Sequence, residues 1–399
     1  CFTAPSNARS EIPRLEDFAA LNAINLTPVG AGNMGSAVPV WRMAGSEVCR
    51  ILDLSEKSKY RYIAKSETSE NELLKSASSS GPTPAPSLSN QWRWSLNTGY
   101  RRDDFNWSIP GFIPPAPADP TDDLLPGLPP QYRNQSVNII SELTWSDIEI
   151  LQLEFELQKR FRKTFRIKGS LAYGLIFDGK NQDSDYAGND RTLEFSRSNN
   201  SSDDGETWDL SFGFGYEFFF LRDKIGLTPF AGLSLHGQNF TMTNGFQTVS
   251  NFGFPVAVGP FPGLDSSYDA DWYGPWIGLE GAFYNRRADL TVSRHEIFWG
   301  VELHYARYEA WANWNLRADF AHPVSFEHES DGWGGVLYAG FKFFFNPQWS
   351  LNLNGKYQKW ETDTGTDTVF WYDGTSSETP LNAVNWESFS VTVGVTCRW

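Results

Sequence analysis

From Gln91 to the last residue, apolar and polar positions alternate with a period of two. This is the signature of β-strands that bury one face and wet the other. The final segment is the clearest. Phe389, Val391, Val393, Val395, Cys397 and Trp399 share one side, while Ser388, Ser390, Thr392, Gly394, Thr396 and Arg398 share the other. Trp92, Trp94 and Leu96 alternate with Arg93, Ser95 and Asn97, and Leu151, Leu153, Phe155 and Leu157 with Gln152, Glu154, Glu156 and Gln158. Further faces follow at Phe165–Phe177, Trp208–Phe218, Leu227–Leu235, Pro275–Phe283, Ile297–Tyr305, Leu337–Phe345 and Trp349–Tyr357. With a long strand near 135–158, the pattern predicts ten antiparallel strands. Tight turns at Lys159–Lys163, Arg222–Lys224 and Asn346–Gln348 alternate with long polar connections at about 106–133, 179–205, 237–270, 309–332 and 361–385.

Apolar-out, small-or-polar-in alternation suits a strand with lipid on one side and a wet lumen on the other. Short turns at one end and long connections at the other fit an outer-membrane barrel better than a soluble β-sandwich. The expected fold is therefore all-β, a ten-stranded antiparallel transmembrane β-barrel over residues 91–399. An even strand count puts both barrel ends on the periplasmic side. Residues 1–90 lack the alternation, carry the Pro- and Ser-rich stretch Gly81–Ser87, and read as an irregular N-terminal periplasmic extension or tether.

Composition sharpens this reading. The chain has 399 residues, including 17 Trp, 15 Tyr and 30 Phe, more aromatic rings than a soluble domain ordinarily uses. A barrel places such rings at both membrane interfaces. The mean hydropathy is only −0.42, as expected when every second strand residue faces water. No stretch approaches the roughly 18–20 apolar residues of a spanning helix. The net charge of −15 argues against a nucleic-acid partner. Outer-membrane lipids and lipopolysaccharide are the expected surroundings, with protein partners reached through the extension or the extracellular loops.

The three cysteines are Cys1, Cys49 and Cys397. A chain starting at Cys1 resembles the product of lipoprotein signal cleavage, so Cys1 is the candidate lipidation site, against the plainer reading of a boundary that happens to fall there. Cys49 and Cys397 would then form an even pair that an oxidising periplasm could join. No Cys or His cluster has metal-ligand spacing and no glycine-rich phosphate loop is present, so neither metal nor cofactor is expected. Asp203, Asp204, Asp265 and Asp269 are acidic loop positions that read first as solvated charges. Lys159, Arg160, Arg162 and Lys163 are expected near headgroups.

Ser141-Glu-Leu-Thr-Trp145 resembles the Ser-x-Leu-x-Trp signature of the omptins, ten-stranded outer-membrane proteases. Asp183-Ser-Asp185-Tyr186 is similar to their Asp-x-Asp with a following aromatic. Pro275-Trp-Ile-Gly-Leu-Glu-Gly281 resembles their sixth strand, and the last hairpin, with Tyr372-Asp373 and the terminal aromatic, matches in order. The resemblance implies an activated water held between two acidic residues and an Asp–His pair, the His acting as base. Asp183 and Asp185 would be the acidic half.

The second half departs from the pattern. Counted from Gly300, the Asp-x-His positions fall on Asn315-Leu-Arg317, and neither side chain can act as a base near neutral pH. Asp319 with His322, in a shifted register, and His328 are the remaining candidates, all expected in solvated loops. An Arg317 cation is expected to pair with Asp183 or Asp185 and hold their pKa values down. The residues therefore point first to a non-enzymatic surface scaffold or assembly subunit. A divergent omptin-type endopeptidase is the alternative, and a small-solute pore is a weaker third, since ten strands leave a lumen that side chains largely fill.

Overall fold

The computed structural model describes residues 91–119, 123–162, 164–285 and 295–399. The N-terminal extension, Cys1 and the Cys49 half of the suggested disulfide lie outside them; Cys397 is buried. The strands are β1 (Trp92–Ile113), β2 (Gln135–Phe161), β3 (Phe165–Gly188), β4 (Thr192–Ser201), β5 (Gly205–Tyr216), β6 (Phe218–Phe220), β7 (Ile225–Ser250), β8 (Gly259–Pro260), β9 (Asp265–Asn285), β10 (His295–Asn313), β11 (Phe326–Phe344), β12 (Trp349–Thr362), β13 (Gly365–Phe370), β14 (Ser376–Leu381) and β15 (Ala383–Arg398). β4, β5 and β6 are one interrupted crossing, since β4 and β5 both pair with β3 and all three pair with β7. β13 prolongs β12, and β14 leads into β15. Ten crossings result, each antiparallel to its neighbours, and β1–β15 and β10–β11 pairing leaves no open edge. A closed ring is what lipid demands, because an unpaired strand edge in hydrocarbon has no water to satisfy it.

The expected lipid face is the observed outer face. Leu96, Leu153, Leu175, Phe212, Ile277, Val301, Leu353 and Val393 all point away from the lumen and are exposed. Aromatic rings edge this band at both ends. At the short-turn end Trp92 stacks on Trp399 at 6.3 Å and Trp94 meets Trp349 edge-on at 5.6 Å. At the other end Tyr100, Tyr173, Tyr305, Trp333 and Tyr357 face outward. Lys159 sits at the short-turn end with its ammonium 4.1 Å above the Trp92 ring. Arg160, expected near headgroups, instead turns into the lumen and pairs with Glu217 at 2.7 Å.

The strands do not stop at the band. β2 has 27 residues, whereas about 9–11 suffice to cross a bilayer. Most of the polar connections expected from the sequence are in fact strand. The 179–205 segment is the hairpin of β3 and β4, turning at Asn189–Arg191, and β7 runs on to Ser250. The true connections at this end are 114–134, 189–191, 251–264, 314–325 and 371–375.

The sequence misleads because the alternation changes sign past the girdle. In β1 the inward residues run Ser95, Asn97, Arg101, Asp103 and then Phe105 and Trp107, all buried; the outward ones run Trp94, Leu96, Tyr100 and then Arg102, Asp104 and Asn106. β15 mirrors it, with Val384 and Trp386 inward before Ser388, Ser390 and Thr392. The inward apolar side chains meet in one core. Phe105, Trp107, Leu143, Trp145, Phe240, Tyr268, Trp272, Trp360 and Trp386 fill the lumen above the membrane level. A smaller cluster, including Ile113, Leu125, Val137 and Phe195, packs the 114–134 connection onto the strand ends.

Candidate functional site

Two of the omptin-like segments, Ser141–Trp145 of β2 and Asp183–Tyr186 of β3, meet at the rim of the long-connection end, whereas Pro275–Gly281 lies at membrane level in β9. In β2 the inward positions of the first motif are Ser141, Leu143 and Trp145. Leu143 and Trp145 enter the apolar core, while Ser141 lies opposite Asp185 of β3. On its other side Asp185 is paired with Ser196 of β4, and both serines hydrogen-bond its carboxylate. Asp183 lies one inward position deeper, between Leu143 and Ser198.

These two carboxyl groups are half-buried and close enough to repel each other. Burial, followed by the neighbouring Asp185 charge, pushes the Asp183 carboxyl well above the usual range. Burial likewise pushes Asp185 up to about 6, opposed by the Ser141 and Ser196 hydrogen bonds and by Arg317.

Arg317 reaches this pair from the 314–325 connection. Two anchors hold that connection: Asn315 Oδ1 accepts from the Asp265 N–H and the Ser266 hydroxyl, each at 3.0 Å, and Trp314 N–H donates to Ser325 Oγ at 2.9 Å. Arg317 thus comes near enough to Asp183 and Asp185 to interact with both electrostatically. Its guanidinium fork, however, closes on Asp319 with bonds of 2.9 and 2.8 Å. This holds the Asp319 carboxyl below its usual range. The expectation that Arg317 would depress the β3 aspartates is therefore corrected. Its pull has that sign, but its hydrogen bonds are spent on Asp319, and desolvation of the two carboxyls wins.

The histidines are placed differently from the sequence expectation. His322 is exposed, with Nδ1 at 2.8 Å from Asn313 Oδ1 and Nε2 at 3.2 Å from the Arg317 carbonyl. A ring facing two acceptors satisfies both only as the imidazolium, or with the Asn313 amide turned over. Neither nitrogen is bonded to Asp319, Asp183 or Asp185. His328 is not in a solvated loop at all. It lies in the sign-changed part of β11, faces inward and is completely buried. There Nδ1 is 2.8 Å from the Tyr268 hydroxyl and Nε2 3.2 Å from Asp367, and Tyr268 is bonded in turn to Tyr308 at 2.6 Å. Trp107 sits edge-on to the His328 ring at 4.8 Å. This chain ties β9, β10, β11 and β13 together within the aromatic layer.

The structure thus brings Asp183, Asp185, Arg317 and Asp319 to one rim cleft, leaves His322 at its outer edge and buries His328 below it. Ser196, Tyr268 and Asp367 were missed by the sequence reading, and only cross-strand register reveals them. Among the described residues no three His, Cys, Asp or Glu side chains converge to hold a metal.

Comparison with known proteins agrees with the fold. A family model described as Protochlamydia outer membrane protein matches residues 95–398. No curated protein matches. Among solved structures, the outer membrane protease OmpT from Escherichia coli is similar with a TM-score of 0.59 at 12% identity, covering 80% of this chain and 99% of that one. The outer membrane protein OprG from Pseudomonas aeruginosa is matched with a TM-score of 0.28 at 9% identity, covering 78% of this chain and 96% of that one. At such identities the first likeness establishes the barrel architecture and says nothing of activity.

Proposed function

This chain belongs to the Protochlamydia outer membrane protein family, and from that premise we propose that it is a non-enzymatic bacterial outer-membrane barrel acting as a surface scaffold or assembly subunit. The observation that carries this reading is the rim cleft. Where hydrolysis would need a base beside the aspartate pair, Arg317 stands instead, and His322 is engaged with Asn313 and a backbone carbonyl. A protonated guanidinium cannot take a proton from water. In this reading the short turns are periplasmic and the long connections face outward. Lipids and lipopolysaccharide surround the band, and partners dock on the rim formed by 114–134, 251–264, 314–325 and the 371–375 tip. A lipid on Cys1 would tie the N-terminal extension to the membrane.

One observation favours the endopeptidase alternative. A carboxyl with a pKa of about 6, as at Asp185, can accept a proton near neutral pH. Purified protein is therefore incubated with fluorogenic dibasic peptides, and no turnover is expected. Cleavage abolished by both Asp185→Ala and His322→Ala would replace the scaffold reading with the protease. The pore alternative predicts stepwise conductance in planar bilayers. The scaffold reading predicts none, because Trp145, Trp272, Trp360 and Trp386, each at most 1% exposed, fill the lumen above the membrane level.

A further inference from the structure

Below the aromatic layer, at the level of the membrane band, the lumen holds a cavity of about 110 Å³. Its walls are densely charged, and most of the charges cancel in pairs. Arg93 meets Glu296 at 2.8 Å, Lys168 meets Glu302 at 2.7 Å and Lys356 meets Glu154 at 3.2 Å. Arg166 is paired with Glu280, and Asp209 with both Arg101 and His236. Two opposite charges on the wall are left over. Lys342 of β11 is only 3% exposed, and Glu156 of β2 faces the same cavity. Each feels the other's charge and that of the paired Glu280, yet among the described residues no salt bridge or hydrogen bond reaches either; the Phe298 ring lies 4.8 Å from the Lys342 ammonium.

Two further wall groups have no hydrogen-bond partner. They are Nε2 of His236 and Oδ1 of Asn354. Asp209 is 2.7 Å from Nδ1 of His236, so that nitrogen donates to the carboxylate and Nε2 is the ring atom left without a partner. The unfilled set is therefore two acceptors, on Glu156 and Asn354, the Nε2 atom of His236, and one donor, on Lys342. Buried polar groups are nearly always satisfied, and leaving charged ones bare is costly. An ammonium group has three hydrogens to give, and a carboxylate completes a lysine. A cavity of this size has room for several waters or one very small molecule.

We propose that the lumen cavity is a binding site for a small zwitterion of the α-amino-acid type, with its ammonium toward Glu156 and Asn354 and its carboxylate on Lys342. This site is separate from the rim cleft and independent of the scaffold reading.

The test uses the full chain in detergent micelles with glycine and L-alanine as probes. Acetate and ethylammonium, each supplying one half of the charge pattern, are the controls. Glycine or alanine raises the thermal midpoint and gives a saturable calorimetric isotherm; the half-ligands at equal concentration do not. Lys342→Met and Glu156→Gln each weaken binding at least tenfold, and Asn354→Leu, which removes a neutral acceptor, weakens it less. If neither amino acid binds the wild-type protein, the cavity holds water only and the proposal fails. It fails equally if the half-ligands bind as well as the zwitterions, or if a folded Lys342→Met variant binds glycine unchanged.

Discussion

The same ten strands line two unlike lumens. At membrane level the outer face is Leu, Val, Ile and Phe, and the inner face is Glu, Lys, Arg, Ser and Asn. Above the girdle the inner face is Trp, Phe, Tyr and Ala, and the outer face carries charges such as Arg102, Asp104, Glu309 and Glu361. The medium outside each level explains the difference. Lipid takes the apolar side chains outward, so the interior must be filled with polar groups that satisfy one another. Water takes the polar ones, so the interior can close as an ordinary hydrophobic core. The upper lumen therefore resembles a soluble protein's interior, and the lower one a network of buried ion pairs whose net stabilisation is small.

If that contrast is right, truncating an aromatic in the upper layer has the largest effect. Trp145 is fully buried and packs on Phe105, Phe240 and Tyr268 with ring centroids between 5.1 and 5.6 Å. Trp145→Ala is expected to cost about 3–5 kcal/mol, as for other large-to-small aromatic truncations. Equilibrium urea unfolding in micelles measures it. A loss below about 1 kcal/mol would mean the upper layer is not a packed core.

The outer face gives the second test, within one strand. Leu353 of β12 is 52% exposed to lipid, and Glu361 of the same strand lies above the girdle. Leu353→Arg should cost about 2–4 kcal/mol near mid-membrane, while Glu361→Arg should stay within about 0.5 kcal/mol. Equal effects at the two positions would erase the boundary drawn at Tyr357.

The sequence told the two levels apart only in part. The membrane-level pattern was legible in full, because Leu151, Leu153, Phe155 and Leu157 present one unbroken apolar face. Above it, Phe105 and Trp107 alternate just as regularly but on the opposite face, and β2 adds irregular register between Ser146 and Ile150. A reading that follows one face loses the strand there and reports a loop. The rim cleft was half legible for a related reason. Asp183 and Asp185 stand in a local motif, but Ser196 joins them only through β3–β4 pairing. Whether Arg317 bonds to them or to Asp319 depends on a connection whose path no alternation encodes. His328 looked solvated between Glu327 and Glu329, yet flanking outward charges are what an inward-facing strand residue has.

The smallest expected effect tests which force governs the rim. In the unfolded chain an Asp titrates near 3.9, whereas in the folded barrel Asp185 titrates at about 6. Between those values the folded state keeps a proton that the unfolded state releases, so stability falls as pH rises through the window. The two-unit gap is an upper bound, because Asp185 is partly reached by solvent, and about 1 kcal/mol is the expected size. Asp183 shifts in the same direction, by burial and by the Asp185 charge, and adds to the effect. Asp185→Asn mimics the protonated group and can still accept from Ser141 and Ser196. It should match the wild type at pH 4 and exceed it by about 1 kcal/mol at pH 7, measured by urea unfolding at both. If Asp185→Asn is instead the less stable protein at pH 7, the Arg317 charge outweighs burial. The rim would then be a salt bridge holding the 314–325 connection down, with its carboxylates ionised well below neutral pH.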